Sequence, residues 1–343
     1  MSEISSQNIS DYITLTPNEH AFFKSVSKKQ MRFCLTEYYL KLLQKTGSAA
    51  LRKQCIPSKQ ELKRADYELD DPLGEKKYSP LPRLVHRYKN RIVVKVTDQC
   101  AMYCRHCFRN VYTSGMEGAI QQEELNEITG YLYNHNEVTQ VLITGGDPLV
   151  LSDVHIKKIL HGIRKARPDI VIRIGTRIPV VNPGKIDTHF AGLISKYNPV
   201  WISTQFNHPY ELTESAKNAV GILIDHGIPV MNQAVLLKGV NNSVKVLADL
   251  FSMLIKNRIK PYYLFQLDLA PGISHFRVPI ENGLQLYQEL SSQLGGLELP
   301  VYALDLPGGG GKIRLDKSRI ISKDSNSVYL LSYEDSIFPY PRY

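Results

Sequence analysis

A chain of 343 residues with 43% hydrophobic and 22% charged side chains has room for one large domain plus a smaller one, and its composition excludes a disordered protein. The formal net charge of +9 is not gathered into a long Lys/Arg block, which argues against nucleic acid as the main partner. The polar start MSEISSQNIS lacks an apolar signal core, and no run approaches the roughly 18–20 apolar residues of a membrane helix, so a soluble cytoplasmic protein with no membrane partner is expected.

Residues 1–90 read as a helical region. Thr16-Pro17-Asn18-Glu19 is a capping box with proline at the first helical position. Met31, Cys34, Leu35, Tyr38 and Leu42 recur at helical spacing and predict one buried stripe. Ser58-Lys59-Gln60-Glu61 is a second capping box, and Asp71-Pro72-Leu73-Gly74 is a turn.

From 91 to 312 the pattern changes to short apolar runs of the kind found in buried parallel strands: Ile92 to Val96, Val138 to Ile143, Ile170 to Ile174, Val200 to Gln205, Pro229 to Leu236 and Tyr262 to Leu267. Helical patterns lie between them, as in Glu123 to Tyr133, Val154 to Lys165 and Ser243 to Lys256. The repeat of roughly 30 residues is that of a βα unit. Six such units predict an α/β fold, an open partial (βα)6 barrel, with Val301 to Leu304 as an added strand. Residues 313–343 form a short C-terminal tail in which Ser327 to Ser332 suits one more strand.

In barrels of this kind, catalytic groups gather where strands end. The unusual residues fall there: Cys100 after the first run, Gly145-Gly146-Asp147-Pro148 after the second, and Asn207-His208-Pro209 after the fourth. Asp268 closes the sixth run, and Asp305 with Pro307 to Lys312 follows the seventh.

Cys100-x3-Cys104-x2-Cys107 places three of five cysteines in one loop, a metal framework rather than a disulfide framework. Three thiolates leave one iron of a four-iron cluster open to a small molecule. Zinc would need a fourth ligand such as His106, which directly precedes Cys107 and is poorly placed to share its metal. Cys34 and Cys55 read as small apolar fillers. Pro307-Gly308-Gly309-Gly310-Gly311-Lys312 requires close backbone approach or positive φ, unless it is only a flexible loop before a surface lysine. It lacks P-loop spacing, and the functional reading of Lys312 is an amine that holds a cofactor covalently.

The cysteine spacing is that of the radical S-adenosylmethionine (SAM) superfamily. The resemblance implies a [4Fe-4S] cluster on Cys100, Cys104 and Cys107, SAM bound to its unique iron, reductive cleavage to a 5′-deoxyadenosyl radical, and an electron donor protein. Thr144 to Pro148 resembles the glycine motif of that superfamily, which implies that Gly145, Gly146 and Asp147 contact SAM.

Asp98 to Cys107 taken together with Pro307 to Lys312 resembles the lysine 2,3-aminomutase family, and the likeness runs from about Asp71 to Lys312. It implies pyridoxal 5′-phosphate (PLP) on Lys312 as the Schiff-base lysine. Within His86-Arg87-Tyr88-Lys89-Asn90-Arg91, it implies that Arg87, Tyr88 and Arg91 handle that cofactor; guanidinium forks suit its phosphate, although such residues can also form a solvated edge. It further implies Arg109 on the substrate carboxylate, Asp268 and Asp305 on a distal ammonium, and Gln205 and Gln233 near SAM. Two neighbouring carboxylates repel unless a cation sits between them, and lysine would supply one; the alternative for each is a helix cap or turn residue.

The implied activity is that of an isomerase interconverting L-lysine and L-β-lysine by 1,2-amino migration. A related branch serves elongation factor P, and a rival class is a non-catalytic basic metal-cluster protein that binds RNA. The chain departs from longer relatives in having no cysteine after Cys107, serine at Ser243 and glutamine at Gln205, where the family often has histidine. Zinc-linked dimers are therefore not expected.

Overall fold

Nine strands make one sheet whose spatial order follows the sequence: β1 (Leu84–Tyr88), β2 (Arg91–Thr97), β3 (Gln140–Gly145), β4 (Val171–Gly175), β5 (Val200–Thr204), β6 (Val230–Val235), β7 (Lys260–Phe265), β8 (Val301–Leu306) and β9 (Gly311–Arg314). The computed structural model describes residues 4–25, 31–115 and 117–342. Strands β2 to β8 run parallel, while β1 and β9 pair antiparallel at the two edges. Among the described residues no strand pairing joins the two edges, so the barrel is open. This is the expected α/β partial barrel, with one more parallel strand than the six βα units require.

Before β1 come α1 (Pro17–Lys24), α2 (Glu37–Thr46) and α3 (Ala49–Cys55). Between the strands run α4 (Gln122–Asn134), α5 (Asp153–Ala166), α6 (Thr188–Ser195), α7 (Glu214–Asp225), α8 (Val244–Lys256) and α9 (Ile280–Gln293). Their starts are set locally: the side chains of Ser152, Asp187, Thr213 and Ser243 each accept a backbone N–H of the first turn. Each helix then buries one apolar stripe, as α5 does with Ile156, Ile159, Leu160 and Ile163. Each such side chain contributes roughly 1.5–3 kcal/mol. Among the described residues, no helix is long and apolar enough to cross a membrane.

Three differences from the sequence reading have local causes. Cys34 and Leu35 are not part of a helical stripe; they are extended and pair with Ser5 and Ile4. Thr36 caps Tyr39 N–H and starts α2 only afterwards. The region before residue 90 also contains strand β1, because a turn at Lys89-Asn90 folds Leu84–Tyr88 back on β2. The tail forms a three-stranded antiparallel sheet, β10 (Ile320–Lys323), β11 (Ser327–Leu331) and β12 (Ile337–Pro341). The Asp324 carboxylate accepts the Asn326 and Ser327 N–H groups and closes the first of its turns. One hydrophobic core runs from Ile4 through the barrel to Tyr340, so the N-terminal segment and the tail both pack on the barrel.

The second capping box has a further task. Glu61 accepts the Ser58 N–H at 3.1 Å and also receives the guanidinium of Arg105, which is fully buried inside the cysteine loop. Arg105 donates in addition to the Arg32 carbonyl at 2.7 Å. The N-terminal region thus clamps the loop from outside. Removing one partner of a buried ion pair leaves a charge uncompensated and typically costs about 3–5 kcal/mol. Glu61→Ala should therefore lower unfolding free energy by about that amount in urea titration; a loss below about 1 kcal/mol would mean the clamp contributes little.

Candidate active site

A cavity of about 450 Å³ occupies the barrel. Its lining includes Cys100, Cys104, Cys107, Arg109, Gly145, Gly146, Asp147, Gln205, Gln233, Asp268, Asp305 and Lys312, together with Arg87, Tyr88 and Arg91. Residues separated by more than two hundred positions therefore meet in one chamber. The strand bounds order them: the cysteines and glycines follow the carboxyl ends of β2 and β3, whereas Arg91 and Gln140 are the first residues of the same strands.

The three cysteines are free thiols in the loop after β2. Burial first, and then the neighbouring sulfurs, push the Cys100 thiol up and the Cys107 thiol to about 12. Thiols in such a setting resist ionisation unless a metal takes the thiolates, so the donor set fits an iron–sulfur cluster with three protein ligands. The Cys104 sulfur accepts from the Arg177 guanidinium at 2.8 Å. His106 Nε2 lies 3.3 Å from the Asn207 amide, and its ring packs edge-on against Phe276.

Gly145 and Gly146 serve the chain itself. A Cβ on Gly146 would lie 2.1 Å from the Gln99 carbonyl oxygen. Without it, Gly146 and Asp147 donate their N–H groups to Thr97 O and Gln99 O at 2.6 and 2.7 Å. The glycine pair therefore seats the cysteine loop on the end of β3. The Asp147 carboxylate is likewise committed internally, to the Thr176 hydroxyl at 2.6 Å and to the N–H groups of Arg177 at 2.7 Å and Leu149 at 3.0 Å. Its part is to tie the β3 and β4 loops together beside the cavity.

The glycine run is the turn of the β8–β9 hairpin, with positive φ at Gly308, Gly309 and Gly311. The hairpin puts Lys312 directly opposite Asp305, and side chains of such a pair share a face. Lys312 Nζ reaches Asp305 at 2.5 Å and lies 3.9 Å from the Phe265 ring centre. The Lys312 backbone N–H donates to the Tyr88 phenol oxygen at 2.7 Å. Asp268 lies half-buried on the same cavity, and desolvation together with the charge of Asp305 pushes its carboxyl up to about 8, against the pull of Lys312 and Arg109.

At the amino ends of the strands the lining is cationic. Arg91 lies 3.8 Å over the Tyr88 ring, Arg87 donates to Gly309 O at 3.1 Å and to Glu334 at 2.8 Å, and Arg173 rises from β4. Among the described residues neither Arg91 nor Arg173 has a carboxylate partner, and Arg173 Nε has no hydrogen-bond acceptor. Two such guanidinium groups beside Lys312 and the Tyr88 phenol fit a phosphorylated aromatic aldehyde such as PLP.

Arg109 is held by Glu75 at 2.5 Å and by the Thr144 hydroxyl at 3.4 Å. Lys95 lies 3.8 Å from the same carboxylate. Burial would raise the Glu75 carboxyl, but Arg109 and Lys95 hold it below its ordinary range. Glu75, Lys95, Arg173 and Arg177 were not singled out from the sequence. Lys95 and Arg173 did leave a signal there, because each interrupts an apolar run that otherwise reads as a buried strand. Nothing in the sequence marked Glu75.

The Radical SAM superfamily model matches residues 94–251, and the Lysine-2,3-aminomutase model matches residues 288–343. The chain is 39% identical, over 97% of its length and 81% of the relative, to an L-lysine 2,3-aminomutase of Acetoanaerobium sticklandii. It is 38% identical to an L-lysine 2,3-aminomutase of Clostridium subterminale, over 97% of this chain and 80% of that one. It is also 36% identical to a glutamate 2,3-aminomutase of Clostridioides difficile, over 96% of this chain and 78% of that one.

The raised Asp268 carboxyl has a stability signature. The folded protein keeps its proton while the unfolded chain loses it above the ordinary value of 3.8, so this group's contribution to stability falls as pH rises toward about 8, and no further above that. Asp268→Asn, which carries no such proton, should gain melting temperature relative to the parent between about pH 5 and about pH 8. A difference that stays constant with pH would remove the raised carboxyl.

Proposed function

We infer the function from one premise: the chain belongs to the lysine 2,3-aminomutase family of radical SAM enzymes. The protein is an isomerase that uses a [4Fe-4S] cluster, SAM and PLP, and it interconverts L-lysine and L-β-lysine by moving the α-amino group to the adjacent carbon. When bound, the cluster and SAM supply hydrogen abstraction at an unactivated carbon, and PLP supplies a π system on which the amino group migrates. A one-electron donor protein and a cytoplasmic location complete the proposal.

The residues divide the work. Cys100, Cys104 and Cys107 hold the cluster, with Gln205 and Gln233 beside SAM. Lys312 holds PLP, Arg87, Arg91 and Arg173 face its phosphate, and Tyr88 fixes the backbone of Lys312. Arg109, oriented by Glu75 and Thr144, receives the substrate carboxylate. Gly145, Gly146 and Asp147 hold the loops that carry these groups.

The observation that carries the substrate assignment is the Asp268–Asp305 pair, with the Lys312 ammonium bonded to Asp305. Once the Lys312 amine is committed to PLP, its charge no longer compensates the two acids. A lysine ε-ammonium would restore that balance. The distal carboxylate of glutamate would add a further acid beside Asp305 and Asp268, where the acids already outnumber the cations, which is unfavourable. Lysine is thus preferred over glutamate.

Anaerobic incubation with SAM, PLP and a reductant should convert L-lysine to a product of the same mass and distinct chromatographic mobility, and should leave L-glutamate unchanged. Conversion of glutamate at a comparable rate would overturn the assignment. Asp305→Asn should lower kcat/KM for lysine by about 10- to 100-fold, the usual cost of one charge-assisted hydrogen bond. Borohydride followed by peptide mapping should locate PLP on Lys312; label on another lysine would displace it from this role.

A further inference from the structure

Beside the cysteine loop lies a buried polar network whose central pair, Arg177 and Glu211, has no part in the function proposed above. Its centre is Arg177, two residues past the end of β4 and 6% exposed at the side chain. Each end of its guanidinium is engaged. Nε donates to Gln205 O at 3.2 Å, one terminal nitrogen to the Cys104 sulfur at 2.8 Å, and the other to Gln54 Oε1 at 2.7 Å and Glu211 Oε1 at 2.6 Å. Glu211 has no measurable exposure. Its oxygens also accept the Tyr39 hydroxyl at 2.8 Å and the N–H groups of Asn207 at 2.7 Å and His208 at 3.1 Å.

A fully enclosed Arg–Glu pair is seldom a net gain in stability over apolar packing, so its presence at a cluster ligand calls for another reason. The N-terminal region takes part, since Tyr39 lies in α2 and Gln54 in α3. The result is a cation locked against one thiolate, with a carboxylate behind it that cancels part of its field.

We propose that Arg177 is a positioning residue that sets how readily the cluster on Cys104 takes up its electron, with Glu211 as an internal counterweight. The inference rests on the radical SAM reading above. The step concerned is addition of one electron from an external one-electron reductant to the oxidised cluster, with no proton moved and no bond broken. Reduction adds a negative charge to the cluster and its thiolates. A hydrogen-bonded cation stabilises that charge and raises the potential; an anion beside it does the reverse, and both act strongly where water is excluded. Removing the two partners should therefore shift the potential in opposite directions. A network that merely held the loop in place would give no such reversal of sign.

The test is spectroelectrochemical titration of reconstituted protein, with iron content and the electron paramagnetic resonance signal of the reduced cluster as companions. At a fixed potential, Arg177→Gln should lower the ratio of reduced to oxidised cluster by about tenfold, and Glu211→Gln should raise it by a similar factor; one decade is 59 mV for one electron. Arg177→Lys, which keeps the charge, should fall between Arg177→Gln and the parent. Shifts of the same sign in Arg177→Gln and Glu211→Gln, or none in either, overturn the proposal while leaving the enzyme class intact. If Arg177→Gln takes up no iron, Glu211→Gln decides alone: a rise supports the proposal, and no change or a fall overturns it. A parent protein that takes up no iron removes both this inference and the functional reading.

Discussion

The chamber inside the barrel depends on one constraint: charged side chains sealed behind apolar walls must be balanced locally. Arg109 and Lys95 face Glu75, Lys312 bonds Asp305, Arg177 bonds Glu211, and Arg105 bonds Glu61. Where balance is incomplete, the imbalance points at a ligand. Among the described residues Asp268 forms no ion pair, and it is driven toward its neutral form against the pull of Lys312 and Arg109. Among the described residues Arg91 and Arg173, on β2 and β4, are left without a carboxylate. The surplus acid calls for an ammonium and the surplus guanidinium groups call for an anion, which is the polarity that a lysine substrate and a phosphate-bearing cofactor supply.

The barrel also explains why the N-terminal region packs so closely on it. Glu61 grips Arg105 inside the cysteine loop, Gln54 and Tyr39 complete the shell of Arg177 and Glu211, and Glu75 orients Arg109. The tail contributes from the opposite edge, through Glu334 on Arg87 and Tyr340 on Gln266. Neither segment supplies a group of obvious reactivity. Both hold reactive groups in place, which is what a chamber working on a confined radical demands of its walls.

The glycine motifs show how a sequence feature can have two physical causes. A Gly-Gly pair after a strand suggests room for a ligand; here the pair lines the cavity and also meets the backbone of Thr97 to Gln99. The four-glycine run suggests a flexible loop, yet it is a hairpin turn that sets the Lys312 register against Asp305. In both cases the lack of a side chain permits one backbone to meet another, and the ligand site is a consequence of that meeting.

Periodicity alone determined the alternation of strands and helices, because apolar runs bounded by turns reflect burial that every parallel strand shares. Spacing and the paired motifs singled out the three cysteines, Lys312, Arg109 and the two aspartates, since those residue types carry chemistry that few folds require. The sequence did not determine the extended Cys34–Leu35 segment, the β1 edge strand or the two outer strands of the tail sheet, where pairing partners are distant or the local pattern is weak; the middle tail strand falls on the expected Ser327 to Ser332 run. Nor did it mark Glu75, Glu211 or the internal role of Asp147. A carboxylate announces its partner only when the chain has folded, because the field that gives it a role comes from groups such as Arg109 and Arg177, tens of residues away along the chain and within hydrogen-bond reach in space.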